Sequence, residues 1–489
     1  MALIECSNEL AMNTPNLTRR KALGALAAGA MMATEGVQAA VRGLALSSNA
    51  TLDAIVIGGG LAGLSAARQL KNQGASVVVL EARNRLGGRI SSQVLPNGQV
   101  IDLGAQFVSN AQRRISELVD EVGLTRVQPH DTGDHLFISS SKAIPIRVAA
   151  DAMPLPLFGK MDMLLANWRF EHALHNFRND ISRLDAISAS TFLRKLTHTG
   201  VTESYLSALI EGEYCVSLDD ISAYELLEQV TTMGGLSGLS NSDQWFLSEG
   251  TEPLVQHLRT KVGNGWVLNS PAQNIEIKPD SVTVDTPRGK YKARQIIVAV
   301  PPQLYDRIGL LNSVPPKHSR VLAAYRSGRV IKTLLVFDRP WWRDRGLSGR
   351  IQHIGSLFNS TVDCSPPQGR VGNLVVFSTA RSARQLEMNR SESARIRLAM
   401  AWLREVCGTT VPSVIAARSV DWSADPWSLG GYASVRSLGG WLAAPSLFAT
   451  HGRIHFAGTE TASEWRSYME GALQSAERAA QTVLLNGTN

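Results

Sequence analysis

One stretch of this chain has the residue types and spacing to hold a phosphate-bearing ligand. Gly58-Gly59-Gly60-Leu61-Ala62-Gly63 reads as G-x-G-x-x-G, and Glu81 stands eighteen residues after Gly63. Gly58 permits a tight turn, Gly60 lets a pyrophosphate approach bare backbone, and Gly63 lets a helix pack closely on a strand. The free N–H groups at the start of that helix stabilise phosphate charge. Glu81 is placed to accept hydrogen bonds from a ribose. Metal chemistry finds no such pattern. Cys6, Cys215, Cys364 and Cys407 are too scattered for a C-x-x-C pair and read as free buried thiols, and His172 and His175 lack a third ligand.

The elements needed to position the glycine turn are legible around it. Residues 53–57, Asp-Ala-Ile-Val-Ile, read as a buried parallel strand. A helix is expected from about Ala62 to Gln73, ended by Gly74, and a second strand from Ser76 to Leu80. This is a complete βαβ unit with the glycine motif in its required place. A chain of 489 residues exceeds one ordinary core, so two domains are expected. The net charge of +7 is spread thinly, with no Lys/Arg run longer than Arg19-Arg20-Lys21. No basic stripe with interleaved aromatics suggests nucleic-acid binding, and no apolar stretch is long enough for a spanning helix.

The turn alone does not distinguish FAD from NAD, but the residues after it do. Arg83-Asn84-Arg85-Leu86-Gly87-Gly88-Arg89 follows Glu81-Ala82, and Asp102-Leu103-Gly104-Ala105-Gln106-Phe107 comes next. Near the other end stands Phe456-Ala457-Gly458-Thr459-Glu460-Thr461, then Trp465-Arg466-Ser467-Tyr468-Met469-Glu470-Gly471-Ala472. These segments resemble the flavin-containing monoamine oxidase family, which carries E-A-R-x-R-x-G-G-R, D-x-G-(G/A), F-A-G-T-E-T and W-S-G-Y-M-E-G-A in this order. The resemblance covers nearly the whole chain beyond residue 50. It implies an α/β fold of amine oxidase type, with a discontinuous Rossmann-like FAD-binding domain and a mixed α+β substrate domain. By the same resemblance Arg83 packs near the adenosine and Arg89 meets the pyrophosphate. Gly88, Gly104, Ala105 and Gln106 lie along the cofactor, and Ala272 stands where a backbone contact reaches the adenine. Gly458, Glu460 and a helix starting near Met469 close the flavin end, the helix N-terminus favouring the anion of a reduced flavin.

The resemblance also implies a reaction. Tyr432, after Trp422-Ser423-Ala424-Asp425-Pro426-Trp427-Ser428-Leu429-Gly430-Gly431, and Tyr468 match the two aromatics that cage an amine before the flavin. Lys332, in Arg329-Val330-Ile331-Lys332-Thr333-Leu334-Leu335-Val336-Phe337 ahead of Pro340-Trp341-Trp342, matches a lysine that holds a water near flavin N5 and helps oxygen react. Outside this context the tyrosines read as core residues and the lysine as solvent-facing. The expected function is oxidation of a primary or secondary amine to the imine, then to aldehyde or ketone, by hydride transfer to flavin N5. Oxygen reoxidises the flavin and yields hydrogen peroxide. The alternatives are a dehydrogenase passing electrons to a carrier protein, and a flavin-binding module without turnover. Mammalian monoamine oxidases bind flavin through a cysteine before the first cage tyrosine; Gly431 stands there, so non-covalent FAD is expected. No arginine follows Gln106-Phe107-Val108-Ser109 as in related amino-acid oxidases, which disfavours an α-amino acid. Arg466 occupies a position where the family has a small residue, with its role open.

The expected organisation places the FAD-binding domain at 50–125, 245–310 and 445–489, and the substrate domain at 126–244 and 311–444. Residues 126–244 read as mostly helical, with Ser190 as a helix cap. The first 39 residues resemble a twin-arginine export signal: Arg19-Arg20-Lys21, an apolar run from Ala22 to Ala33, and small residues at Val37-Gln38-Ala39. The aromatic usual after the arginine pair is missing and Glu35 interrupts the tail, so a plain N-terminal extension is the alternative. The expected location is therefore periplasmic, or cytoplasmic if the segment is no signal. A homodimer is compatible with all of this.

Overall fold

The computed structural model describes residues 51–323, 325–367, 369–388, 391–443 and 450–487. The signal-like segment at 1–39 lies outside them. Among the described residues no helix is long and apolar enough to cross a membrane.

The first sheet is built on strand Leu52–Ile57, which pairs in parallel with Val77–Leu80 on one side and Gly289–Val298 on the other. Its register sets Ile57 beside Leu80 and Val298. The order continues outward to Trp266–Val267 past Val77–Leu80, and to Val282–Thr286 and Asn274–Ile277 past Gly289–Val298; Ile454–Phe456 also pairs with Gly289–Val298. The run Val77-Val78-Val79-Leu80 is buried at every position, as a strand covered on both faces must be. Helix Leu61–Asn72 starts directly beyond Ile57 and shares one apolar core with the last helix, Met469–Gly487. Crevices at the carboxyl ends of such strands are where doubly wound sheets take their ligands.

The second sheet is ordered Ala416–Asp421, Val330–Phe337, Gly372–Thr379, Ser360–Asp363, Leu347–His353, Asp134–Ile138, Ile146–Val148. Helices from Leu157–Asn176 to Ala223–Thr232 pack into a separate core with Val330, Trp422 and Trp465. The stretch 126–244 is mostly helical, as expected, but it opens with the strands Arg126–Val127, Asp134–Ile138 and Ile146–Val148. Asp134–Ile138 pairs in parallel with Leu347–His353, a partner more than 200 residues away that no local pattern reveals. The helix cap is Ser188 rather than Ser190. Its hydroxyl accepts from the Thr191 N–H at 3.2 Å and begins helix Ala189–Leu196, whereas the Ser190 hydroxyl turns to Asp219.

The glycine turn shows why two of its glycines are structural. Gly58 sits at φ +103°, where L side chains are strained, and a Cβ on Gly63 would lie 1.9 Å from the Gly58 carbonyl oxygen. Gly63→Ala is expected to destabilise the protein by about 1–3 kcal/mol. Gly200→Ala, in a helix with open space around it, should be neutral or mildly stabilising. Thermal unfolding of both variants checks the pair; equal melting temperatures would contradict the packing argument.

Candidate active site

A cavity of about 760 Å³ runs between the two sheets. Its wall includes every residue named above for the cofactor or for catalysis except Gly63 and Glu460. Gly63 is spent on helix packing, and Glu460 sits behind Arg89, 2.8 Å from its guanidinium. The size falls within the roughly 300–1,000 Å³ typical of ligand pockets.

Gly60 tests whether a dinucleotide fits. Its φ is an ordinary −78°, and a Cβ there would come no nearer than 3.9 Å to any protein atom. Neither conformation nor protein packing demands a glycine at this position, and its bare backbone opens on the cavity. A ligand approaching the main chain accounts for the residue. Both oxygens of buried Glu81 are engaged, accepting from the Gly59 N–H at 2.7 Å and the Arg83 N–H at 2.8 Å. The carboxylate thus braces the turn and still lines the cavity.

Two arginines tie this floor to the opposite wall. Arg83 donates to Asp425 at 2.5 Å and to the Ser428 hydroxyl at 2.7 Å. Arg89 donates to the carbonyls of Gly431 and Tyr432 at 3.1 and 3.3 Å. Next to them, Lys332 projects from a wholly buried strand. Its ammonium donates to the Gly104 carbonyl at 3.0 Å and the Gln106 side-chain oxygen at 2.7 Å, and lies 5.9 Å from the Phe377 ring centre. Burial pushes its pKa down to about 8, against the pull of the Asp102 charge.

The two tyrosines meet across the chain. Tyr432 follows a loop with Leu429 at φ +53°, and Tyr468 follows Trp465 and Ser467 at +49° and +75°. The Tyr432 hydroxyl donates to the Gly212 carbonyl at 2.5 Å, and the Tyr468 hydroxyl donates to the Glu213 carboxylate. Gly212 and Glu213 end helix Gly200–Tyr214, whose C-cap, Cys215, takes the left-handed conformation. The last carbonyls of a helix lack intrahelical partners, so Gly212 is free to accept. Gly431 leaves no room for a side chain: a Cβ would lie 2.5 Å from a Val330 methyl carbon.

Sequence reading missed six charged residues in the wall, Glu203, Glu211, Glu213, Asp243, Arg350 and Arg381, of which Glu213, Asp243 and Arg350 bear on the site electrostatics. None belongs to a recognisable motif, and nothing in their local pattern marks them. Burial and the neighbouring Asp243 charge hold the Glu213 carboxyl well above the usual range. Asp243 is raised to about 6, chiefly by burial, with Arg350 and Lys332 pulling it down. Arg466 turns away from the cavity: it pairs with Glu228 at 3.7 Å and lies 5.7 Å over the Trp441 ring. Cys215 and Cys364 are buried free thiols, and Cys407 is partly buried; Cys6 lies outside the described residues. No metal-binding cluster occurs among the described residues.

A glycine-rich turn that leads into a helix and opens on a cavity of this kind suits a phosphate-bearing cofactor. Residues 61–484 match the family described as flavin containing amine oxidoreductase, and the chain belongs to that family. Its cofactor is accordingly a flavin. It is 29% identical to an L-amino acid dehydrogenase of Synechocystis sp., over 90% of this chain and 96% of that one. It is 28% identical to a flavin-containing amine oxidase of Oncorhynchus mykiss, over 90% of this chain and 87% of the other. Among solved structures, putrescine oxidase bound to putrescine superposes with a TM-score of 0.83 at 25% identity, covering 89% of this chain and 99% of that one. Cyclohexylamine oxidase from Brevibacterium oxydans shares the fold at the same TM-score with 21% identity, covering 90% and 100%.

The burial of Lys332 has a measurable consequence. Its amine should titrate near pH 8 by side-chain NMR, with the signal assigned by its loss in Lys332→Met. Between that value and the ordinary 10.5, the unfolded chain binds the extra proton, so this group's contribution to stability rises with pH across the window. An ordinary lysine titration would mean that the side chain is hydrated.

Proposed function

We propose that this chain is an FAD-dependent oxidase of primary or secondary amines, producing the imine and then the aldehyde or ketone, with oxygen reduced to hydrogen peroxide. The observation that carries the reading is the meeting of Tyr432, Tyr468 and Lys332 on the wall of the cavity that also opens on Gly60. The bound flavin would supply a two-electron acceptor for the hydrogen lost from the carbon next to nitrogen. Gly58, Gly60, Leu61, Ala62, Glu81 and Arg83 would hold the adenosine and diphosphate portion, aided by Ala82, Arg89 and Ala272. Gly88, Gly104, Ala105, Gln106, Gly458 and Met469 would line the remainder.

The protein's own contribution is binding, orientation and control of water. Tyr432 and Tyr468 flank the amine, and their partly apolar surroundings favour its neutral form by desolvation. That form retains the lone pair which the oxidation needs. Lys332 holds a water through the donor its two protein acceptors leave free, and places positive charge where oxygen gains electrons. The putrescine-bound neighbour supports an amine as the substrate class. The dehydrogenase among the relatives supports a second reading, in which a carrier protein takes the electrons. Export by the twin-arginine route belongs to the same proposal, since that route carries proteins folded around their cofactor.

Purified protein mixed without air with a panel of amines should lose its visible flavin absorbance with one amine class. Admitting air then restores the colour quickly for an oxidase, and only slowly for a carrier-linked dehydrogenase. A yellow protein that no amine bleaches would sink the proposal. Lys332→Met should slow reoxidation by roughly a hundredfold while changing flavin reduction far less; identical reoxidation would remove the lysine from the mechanism. Acid precipitation should leave the yellow colour in the supernatant, as non-covalent FAD requires. Colour that stays with the pellet would contradict that part.

A further inference from the structure

Both cage tyrosines terminate on consecutive residues at the end of one helix, but the acceptors differ in kind. Gly212 offers Tyr432 a neutral carbonyl, whereas Glu213 offers Tyr468 a carboxylate. A charge-assisted hydrogen bond is shorter and stronger than a neutral one, so it fixes the ring that it holds more firmly. Glu213 is half-buried and lines the cavity. No Lys or Arg forms an ion pair with it among the described residues. Ser242 gives its carboxyl a hydrogen bond, and Asp243, from the turn before strand Trp245–Leu247, faces it as a like charge. Tyr214 and Cys215 stand next to it on its own segment, and Tyr432 and Tyr468 reach it from two loops. The nearby cations, Lys332 and Arg350, act on Asp243.

We propose that Glu213 is the anionic member of the cage: it positions the Tyr468 ring and supplies the negative charge that receives a substrate nitrogen when that nitrogen is positive. The inference rests on the cage reading given above. When the α-carbon loses a hydrogen with its bonding pair, for which a bound flavin would be the acceptor, the nitrogen lone pair forms the C=N bond and the nitrogen becomes cationic. No proton passes to Glu213 in that step. An enclosed carboxylate is weakly screened, so its attraction for this charge is larger than at the surface. Burial and Asp243 both raise the Glu213 carboxyl. Its charge is therefore complete only above the raised value, and is lost as pH falls through it.

The test uses the oxidised holoenzyme and tetramethylammonium, a cation that neither titrates nor reacts, with binding read from the flavin absorbance. In the wild type, affinity should rise about tenfold as pH climbs through the Glu213 titration. Glu213→Gln keeps an acceptor for Tyr468 and removes the charge. It should lose the rise and bind about tenfold more weakly at the upper plateau. Asp243→Asn should keep the rise and move it to lower pH, because the like charge is gone. Glu213→Leu, which also removes the acceptor, should slow anaerobic flavin reduction well beyond the Gln variant. If the Leu variant does not fold, the Gln and Asn variants decide the question. A wild-type pH dependence in Glu213→Gln would overturn the proposal, as would a rise that disappears in Asp243→Asn but survives in Glu213→Gln. So would a wild type that binds the cation at no pH. Failure of every amine to bleach the flavin counts against the oxidase reading alone, since the ammonium titration requires no turnover.

Discussion

The guanidinium of Arg89 is shared by three stretches of chain that the sequence keeps far apart. It belongs to the segment after strand Val77–Leu80, pairs with buried Glu460 near the chain's far end, and donates to the carbonyls of Gly431 and Tyr432. Arg83 makes a parallel tie to Asp425 and Ser428. Partly buried ions are costly unless paired, and Glu460 is almost wholly buried, so breaking its tie to Arg89 would leave its charge without this partner. The floor and the far wall of the cavity are therefore held together by the same contacts that keep buried charge satisfied. Cavity shape and domain packing are one property here.

That enclosure also sets the electrostatics. Burial depresses the Lys332 ammonium to about 8 and raises the Glu213 carboxyl, because desolvation always disfavours the charged form. One cause thus drives an acid and a base toward neutrality from opposite sides. Perturbed acids and bases of this kind cluster at functional sites. Asp102 sits at the centre of the structural part. It accepts from the Thr251 N–H and hydroxyl, both at 3.0 Å, and from Ser92 at 2.5 Å, and its charge steadies Lys332.

Backbone strain gathers around the same place. Cys215, Leu429, Trp465 and Ser467 all have positive φ without being glycine. Each lies within three residues of Glu213, Tyr432 or Tyr468. Conformations of this kind persist only where the surroundings over-determine them. Here the surroundings are a helix end, a strand edge and a loop that must bring two phenol rings to adjacent acceptors. The free Gly212 carbonyl exists because the helix stops at Tyr214, so termination of one element creates an anchor for another.

Features that depend on neighbours along the chain could be read without the fold. The βαβ unit, the glycine turn and the final helix were legible because strand, turn and helix signals are local and the glycine roles follow from backbone sterics. Gly63 and Gly58 show this directly, one by a 1.9 Å approach and the other by its φ. The motif segments carrying Lys332, Tyr432 and Tyr468 were legible for a similar reason, each being short and contiguous. Pairing over long range was not. Asp134–Ile138 pairs with Leu347–His353 far along the chain, and the cap is Ser188 because Ser190 already lies inside helix Ala189–Leu196. Glu213, Asp243 and Arg350 carry no motif, and their meaning comes from enclosure and from the groups that face them. Only tertiary structure decides that, because desolvation and hydrogen-bond partnership are properties of a place in space rather than of a position in the chain.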